Sequence, residues 1–406
     1  MYPTMTLNFA LSVAVALFSL GARAQENDAT SNILPADWDP KAAADAVMAD
    51  LVNVCAPKVK GAHDSDFLIV DDKAYIIYMA NDVQPSENPR WYFIYNAMTI
   101  INIHTKEVED IITFAASEKD YDNASLPEGS CFVPRMLQVD DTTIRCFFAS
   151  EAPEQREAQT WYIDFDLETQ SFINEIYQAH IITTAGERLP MQPRHYYNDA
   201  VRHGFEAPKR DYGVYFIDSF KYFDDKIYAV MNNFPIGQNA WVKVEDDMAS
   251  FRILGHFNEP NEYRLSEAAV QRMPDGSWLA ICRQSRPSQR YTFSRSEDCV
   301  NWTVNEYWDM IPDATSSKAT FDYFNGVYYL GWQDADSVND VHRSVFNVEV
   351  SRDGENWERK YRFESENSFQ YPVFKELDGT VYLTVTQGHH SYDRKERIMF
   401  GVLEDL

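Results

Sequence analysis

The sequence has few cysteines and none of the cysteine pairs that a metal site would need. Five cysteines occur among 406 residues, an odd number, and no two of them form a CxxC pair. A zinc site needs thiolates or histidines clustered at short spacing, so we predict no metal ion and no cofactor. The cysteine pattern is compatible with one disulfide, between Cys282 and Cys299, and equally with buried free thiols.

Basic residues are scarce as well. Lys and Arg number 36 against 63 Asp and Glu, which gives a formal net charge of −27. A field of this sign repels nucleic-acid phosphates and anionic membrane surfaces, although local basic pockets can persist within it. The charge balance therefore argues against nucleic acid as a partner.

Long apolar runs are absent after the N-terminus. Leu7 to Leu20 is the one such run, and it is followed by Ala22-Arg23-Ala24 and a polar stretch, the small-x-small pattern of a signal peptidase site. The run is too short to span a membrane. We expect residues 1–24 to be a signal peptide, with an uncleaved anchor as the alternative. The mature chain is then expected to be soluble, without a membrane span, and secreted or periplasmic.

Aromatic residues are abundant, and they fit an all-β chain. Phe, Tyr and Trp make up 14% of the sequence, which suits half-buried strands and also stacking against sugar rings. After one short helix over 39–56, strand-like runs alternate with turn clusters such as Pro274-Asp275-Gly276.

Similar hairpin starts recur along the chain, and a period of about 40 to 50 residues is typical of propeller blades. The sequence therefore predicts an all-β fold, a six-bladed β-propeller of four-stranded antiparallel blades over residues 63–406. Residues 25–62 are expected to carry the short helix and to close the propeller by adding a strand to the last blade. The six starts are His63, Ser130, Gly213, Leu265, Ala319 and Phe369.

A sharper motif recurs within the hairpins. Ser296 to Trp302 and Ser351 to Trp357 share Ser-x-Asp-x-x-Asn-Trp, and Glu245 to Phe251 is a weaker copy. The Asp can hold backbone N–H groups of a turn while the Trp packs between blades, so these residues are predicted to be structural. The motif resembles the Asp box, or BNR repeat, of the sialidase superfamily, and the resemblance covers mainly Leu265 to Leu406.

The resemblance also implies a catalytic site. Glu267, Arg283, Arg343 and Tyr371 follow one another in the order and spacing of the family's site residues. It implies a retaining exo-glycosidase with Tyr371 as nucleophile and Glu267 as its base. Arg283 and Arg343 would bind the carboxylate of a terminal, sialic-acid-like sugar on a glycan, for which guanidinium geometry is suited. A phenol with an ordinary pKa of about 10 needs such a base at neutral pH.

The first blade departs from the family pattern. Sialidases begin it with Arg-Ile-Pro, whereas this chain reads Ala62-His63-Asp64-Ser65 and supplies no arginine. The arginine clamp is then incomplete unless Arg90 or Arg135 substitutes from another segment. The family's acid/base aspartate has no single counterpart here, and the candidates are Asp64, Asp66, Asp82 and, with a different chemistry, His63.

Two other classes of function stay open. His63 in the first strand also resembles related propellers that include polysaccharide lyases and a His-dependent rhamnosidase group. In a lyase, His63 or Tyr371 would remove the proton beside a uronate carboxylate that Arg283 neutralises. A non-catalytic carbohydrate-binding propeller would not need the pair of Tyr371 and Glu267. The basic and aromatic segment Pro193 to Arg210 is expected to be a loop, either overhanging the axial pocket or simply joining two blades.

Overall fold

The computed structural model describes residues 33–87, 89–152, 157–206, 213–233, 238–260, 263–286, 288–391 and 393–406. The expected signal peptide, residues 1–24, lies outside these ranges. Among the described residues, no helix has both the length and the apolar character that a membrane crossing requires.

The segment before His63 supplies one helix and one strand. Helix α1 (Pro40–Asp50) begins after Asp39, whose carboxylate accepts hydrogen bonds from the backbone N–H groups of Lys41 and Ala42 at 3.0 Å each. This is a side-chain N-cap, and Pro40 suits the first helical position because its missing N–H needs no partner there. The helix ends earlier than the predicted 39–56. Strand β1 (Val52–Asn53) follows and pairs antiparallel with the last strand of the chain.

The remaining strands form six separate sheets, here numbered in chain order. The first sheet contains β2 (Gly61–Val70), β3 (Lys73–Asn81), β4 (Tyr95–Asn102) and β5 (Val108–Ala115). The second contains β6 (Ser130–Asp140), β7 (Thr143–Ala152) and β8 (Glu157–Asp166), with β9 (Ser171–Phe172) and β10 (Tyr177–Gln178) both paired to β8. A short 3₁₀ helix, Trp91–Phe93, precedes β4.

The third sheet is the largest and includes the second helix in its connections. It contains β11 (His180–Ile182), β12 (Arg188–Pro190), β13 (Tyr215–Phe216), β14 (Lys221–Phe223), β15 (Lys226–Asn233), β16 (Gln238–Val244) and β17 (Ser250–His256). Helix α2 (Pro193–Arg202) lies between β12 and β13 in sequence. The predicted loop over 193–210 is thus wrong for its first ten residues, because Tyr196, Tyr197 and Ala200 bury a helical face in the core of this sheet.

The last three sheets carry the part of the chain with the family resemblance. The fourth contains β18 (Arg264–Arg272), β19 (Trp278–Arg286) and β20 (Tyr291–Ser296). The fifth contains β21 (Thr320–Phe324), β22 (Val327–Gln333), β23 (Val345–Ser351) and β24 (Glu358–Glu364). The sixth contains β25 (Gln370–Leu377), β26 (Thr380–Gln387), β27 (Arg397–Asp405) and β1.

The sheets are arranged as in a β-propeller. The inner strand is the first in sequence in every sheet except the third, where it is β13. The inner strands contact their neighbours in turn: β2 contacts β6 and β25, β6 contacts β13, and β21 contacts β18 and β25. Five sheets reach four or more strands, whereas the fourth has three. The prediction of six four-stranded blades is therefore wrong for the fourth sheet, where isolated bridges at Trp302 and Glu306 stand in place of a fourth strand.

The hydrophobic core lies between neighbouring sheets. Between the third and fourth sheets, Trp241 is fully buried and stacks on Tyr228 with ring centroids 5.4 Å apart, while Trp278 packs against both rings. Aromatic side chains of this size each remove a large apolar area from water. Most of the abundant aromatics are used in this way.

The repeated aspartates hold their turns through the backbone. Each carboxylate accepts hydrogen bonds from two successive backbone N–H groups at 2.7 to 3.1 Å, and the three residues are Asp247, Asp298 and Asp353. Trp302, at the end of one motif, packs on Phe257 with ring centroids 4.3 Å apart. All five cysteines are free thiols, so Cys282 and Cys299 form no disulfide.

Candidate active site

Inner strands of the propeller bring the candidate residues to its axis. Strands β2, β18 and β25 each have an irregular register close to their first residues, at His63/Asp66, Leu265/Ala268 and Gln370/Val373. A bulge re-aims side chains that a regular strand would alternate between two faces. Two of the bulged residues, Asp64 and Tyr371, have positive φ angles of 52° and 54°, a costly backbone conformation that clusters at functional sites.

Tyr371 and Glu267 form a direct hydrogen bond. The Tyr371 hydroxyl donates to Glu267 Oε1 at 2.6 Å, and the Ser266 hydroxyl donates to Glu267 Oε2 at 2.7 Å. Tyr371 is 7% exposed and Glu267 5% exposed. The two residues are separated by 104 positions in sequence, and the structure brings them together as the resemblance implies.

Arg283 completes this pair. Its Nη1 donates to both oxygens of Glu267, at 2.8 and 2.7 Å, and to the Tyr371 hydroxyl oxygen at 2.8 Å. Its Nε donates to the Ser316 hydroxyl at 2.6 Å. A buried charge is tolerated when it is paired and hydrogen-bonded in this way. Arg283 therefore fixes the positions of the nucleophile candidate and its base.

The three groups perturb one another's pKa values. Burial alone would raise the pKa of Glu267, but Arg283 and the hydrogen bond from Tyr371 outweigh it and lower that pKa to about 2. Burial, and then the Glu267 carboxylate, raise the pKa of Tyr371 well above its ordinary value despite the opposing arginines. In the resting protein Glu267 is therefore ionised and Tyr371 protonated, which is the starting state for a phenol that passes its proton to a carboxylate as it attacks.

Arg343 lies next to this group through shared partners. Its Nη2 donates to the backbone carbonyl of Ser316 at 2.6 Å, and its Nη1 donates to the side-chain oxygen of Gln370 at 3.0 Å. Ser316 thus contacts both Arg283 and Arg343, and Gln370 immediately precedes Tyr371. The structure brings the two predicted substrate-binding arginines together around one serine.

His63 is in contact with Tyr371, with ring centroids 4.5 Å apart. Its Nδ1 lies 3.1 Å from the Thr386 hydroxyl, and its Nε2 lies 3.1 Å from Glu87 Oε2. Burial, followed by the charge of Lys395, lowers the pKa of His63 well below its ordinary value. The imidazole is therefore neutral at physiological pH, held between a hydroxyl and a carboxylate.

Glu87 and Lys395 were missed by the sequence analysis. The Lys395 ammonium lies 3.0 Å from Glu87 Oε1, and Glu87 is among the charges that raise the pKa of Tyr371. Glu87 lies in the polar segment after β3, the same segment from which Asp82 was chosen. The only signal in the sequence is that this segment contains two carboxylates, which could not by itself distinguish between them.

The other predicted acids have different partners. Asp64 forms a buried ion pair with Arg135, whose Nη2 lies 2.8 Å from Asp64 Oδ1 and also donates to the carbonyl of Ile217 at 2.7 Å. Arg135 is fully buried. Asp66 accepts a hydrogen bond from the Ser219 hydroxyl at 2.6 Å. Asp64 and Asp66 are thus bound by groups of other sheets and not by the Tyr371 group.

Asp82 and Arg90 contact neither Tyr371 nor Glu267 among the hydrogen bonds and ion pairs of the described residues. Asp82 accepts a hydrogen bond from Tyr95 at 2.6 Å and pairs with Lys58 at 3.3 Å. Arg90 is exposed, and its Nη1 lies 3.5 Å from the Tyr92 hydroxyl. The structure therefore does not bring these two residues into the axial group.

Lys318 is a further axial residue that the sequence did not reveal. It is 1% exposed, and its ammonium has no hydrogen-bond partner among the described residues; the Tyr371 ring centroid lies 6.0 Å away and Asp218 4.0 Å away. Burial and the charge of Arg135 lower the pKa of Lys318. A buried ammonium without hydrogen bonds is costly, which marks this position as a candidate for function.

Comparisons with known proteins show the fold of the chain. No protein-family model and no curated protein matches the sequence. Solved structures do match. A protein of unknown function from Dyadobacter fermentans shares 12% identity, with a TM-score of 0.61 over 88% of this chain and 98% of that one.

Sialidases are among the other matching structures. A mutant of Trypanosoma rangeli sialidase displaying trans-sialidase activity shares 11% identity, with a TM-score of 0.56 over 87% of this chain and 57% of that one. The K499G mutant of NanB sialidase from Streptococcus pneumoniae shares 10% identity, with a TM-score of 0.55 over 87% of this chain and 70% of that one. The chain thus spans little more than half of the Trypanosoma protein. It has a sialidase-like β-propeller fold.

Proposed function

We propose that this protein is a retaining exo-glycosidase that hydrolyses a terminal acidic, sialic-acid-like sugar from a glycan. The observation that carries the proposal is the hydrogen-bonded group of Tyr371, Glu267 and Arg283, since a tyrosine nucleophile needs an adjacent ionised base. Trypanosoma rangeli sialidase, whose fold is of the same kind, has been solved as a covalent intermediate with 2,3-difluorosialic acid, and this supports the comparison.

In the proposed reaction, Tyr371 Oη bonds to the anomeric carbon as the bond to the leaving-group oxygen breaks. The phenol proton passes to Glu267 Oε1, to which it is already hydrogen-bonded. Water then attacks the anomeric carbon, the bond to Tyr371 breaks, and Glu267 returns the proton to the phenolate. Arg283 and Arg343 bind the substrate carboxylate by charge-assisted hydrogen bonds.

We propose Glu87 as the group that protonates the leaving-group oxygen and later takes a proton from water. It is the carboxylate that contacts His63, which lies against the Tyr371 ring. His63 orients this carboxylate from one side and Lys395 from the other. Asp64 and Asp66 are less suitable because Arg135 and Ser219 bind them, and Asp82 because it pairs with Lys58 and Tyr95, whereas the His63 partner of Glu87 contacts the Tyr371 ring.

The experiment uses a fluorogenic sialoside and a 2,3-difluoro sugar of the same configuration. We expect turnover by the wild type and a covalent adduct that mass spectrometry locates on Tyr371. Tyr371→Phe should lose both turnover and the adduct.

A matched control is present in the chain, because Tyr215 also donates a hydrogen bond to a buried carboxylate, that of Glu151. Tyr215→Phe should keep activity, and an adduct on Tyr215 would contradict the assignment.

Uronate elimination is the second candidate, and the contact between His63 and Tyr371 is the observation that favours it. A lyase releases an unsaturated uronate that absorbs in the ultraviolet, whereas hydrolysis produces no such absorbance. We expect none with uronate polymers. Absorbance that is lost in His63→Ala would establish the lyase, and retained glycan binding without turnover would establish a carbohydrate-binding protein.

We further propose that the three-stranded fourth sheet counts as a blade, which makes six, and that the repeated aspartate turns are Asp boxes. Residues 1–24 are proposed to direct export, so that the mature protein is secreted or periplasmic. Mass spectrometry of the N-terminus of protein recovered from outside the cytoplasm tests the export proposal, and an intact Met1 in that fraction would contradict cleavage.

A further inference from the structure

Helix α2 and strand β17 place two imidazoles and a carboxylate close together. Asp199 and His203 are four positions apart, so the end of α2 presents both on one face. His256, the last residue of β17, meets them from the sheet. One ligand atom from each of the three residues lies within 4.8 Å of the other two.

We propose that Asp199, His203 and His256 form a binding site for one divalent transition-metal ion of the zinc type. Two imidazole nitrogens and one carboxylate oxygen, with water in the fourth position, are a donor set that Zn²⁺ accepts in tetrahedral geometry. This site is separate from the Tyr371 group and does not depend on the proposed glycosidase activity.

The carboxylate is held in the orientation that a single-oxygen ligand needs. Asp199 Oδ1 accepts hydrogen bonds from the backbone N–H and the hydroxyl of Thr184, at 3.1 and 2.8 Å. Oδ2 is directed instead to His256, whose Nε2 lies 2.8 Å away. Thr184 thus acts as the outer partner that orients a metal-binding carboxylate.

The two imidazoles are also suitably placed. Their ring centroids lie 5.2 Å apart, and the Nε2 of His203 lies 2.9 Å from the Thr184 hydroxyl. Ligand atoms around a tetrahedral Zn²⁺ are about 3.3 Å apart, given bonds of about 2.0 Å. Only a small outward movement of His256 from Asp199 is therefore needed, and exposed His203 can adjust its rotamer.

A simple hydrogen-bonded clamp is the competing explanation. The contact between Asp199 and His256 alone would tie α2 to the third sheet. One observation exceeds what such a clamp requires. His203 adds a second imidazole at the end of the helix, with a ligand atom within 4.8 Å of those of Asp199 and His256, and a clamp between Asp199 and His256 would not need it.

The test measures metal binding to the full chain after treatment with a chelator. We expect one equivalent of Zn²⁺ to bind, and Co²⁺ to give the visible absorption bands of a tetrahedral site. His203→Ala should weaken Zn²⁺ binding about 100-fold or more. Because His203 is exposed, this variant should fold normally, and Zn²⁺ should raise the Tm of the wild type but not of the variant.

Three outcomes decide the proposal. His104→Ala, which removes an exposed histidine far from α2 in sequence, should bind Zn²⁺ as the wild type does. Binding that survives in His203→Ala but is lost in His389→Ala would place the metal at the adjacent histidines His389 and His390 and overturn the proposal. Failure of the wild type to bind Zn²⁺ or Co²⁺ would leave the cluster as a clamp. None of these metal-binding results depends on the outcome of the glycosidase assay.

Discussion

Removing the Glu267 carboxylate should leave a guanidinium charge buried and incompletely paired. Arg283 donates three hydrogen bonds within this group, two of them to Glu267, and its side chain is 12% exposed. Breaking one side of a buried ion pair costs about 3 to 5 kcal/mol. We therefore expect Glu267→Ala to lower the free energy of unfolding by that amount.

Urea denaturation followed by tryptophan fluorescence measures the change. The matched control is Glu187→Ala, which breaks an ion pair with Arg202 whose two side chains are each 53% exposed, and it should cost less than about 1 kcal/mol. Adding Arg283→Met to Glu267→Ala should recover most of the lost stability, because the unpaired charge is then removed. A loss below about 1 kcal/mol for Glu267→Ala at an unchanged denaturant slope would refute the reasoning.

Three further predictions concern charge. Asp353→Ala should lower the free energy of unfolding by about 1 to 3 kcal/mol at pH 7. The hydrogen bonds of the turn hold the pKa of Asp353 at about 2 despite burial, below its unfolded value of about 3.9. The stability that Asp353 contributes is therefore lost as pH falls from about 4 to 2. Acid denaturation curves should show the unfolding free energies of wild type and variant converging over that range. Lys318→Met should keep or raise the Tm but lower sialoside turnover at least ~10-fold, since the buried ammonium is costly and would favour a phenolate at Tyr371. Burial lowers the pKa of His63, so His63→Asn should change kcat/KM but leave the shape of the pH profile of kcat/KM as it is. Glu87→Gln should remove one limb of that profile. Loss of a limb in His63→Asn instead would show that His63, and not Glu87, is the acid/base group.

Local patterns allowed the strands to be located from the sequence. The six expected hairpin starts lie within two residues of the first residues of β2, β6, β13, β18, β21 and β25. Alternating apolar residues and turn clusters are encoded within each hairpin, so one sequence suffices to find them. The absence of a fourth strand from the fourth sheet was not predictable in this way, because the segment after β20 pairs with it only through isolated bridges at Trp302 and Glu306.

The axial site could be predicted only where the residues carry a family pattern. Tyr371, Glu267 and Arg283 were identified by order and spacing, and the structure brings them into one hydrogen-bonded group. Glu87 and Lys318 have no such pattern. Glu87 comes near Tyr371 because ring closure places the first sheet beside the sixth, and Lys318 because β21 lies beside β25.

Helix α2 shows a different limit. Pro193 to Arg202 contains Tyr196, Tyr197 and Ala200 at helical spacing, a pattern that the loop prediction did not use. The same oversight concealed the spacing of Asp199 and His203, because a four-residue separation indicates one shared face only on a helix. The sequence analysis predicted no metal site because cysteines and histidines are not clustered in sequence. His256 comes close to Asp199 and His203 only through the folding of the third sheet.

The departure in the first blade has a structural counterpart. Asp64 occupies the region where the family would supply an arginine, and it binds Arg135 in a fully buried ion pair. Releasing Arg135 to a substrate would break this pair and abandon its bond to the Ile217 carbonyl. Arg135 therefore stabilises the scaffold, and the proposed function assigns the substrate carboxylate to Arg283 and Arg343. In the proposed reaction, His63 contacts the Tyr371 ring from the first sheet and pairs with Glu87, so we expect the first sheet to be the part of the site that distinguishes this protein's substrate from that of a sialidase.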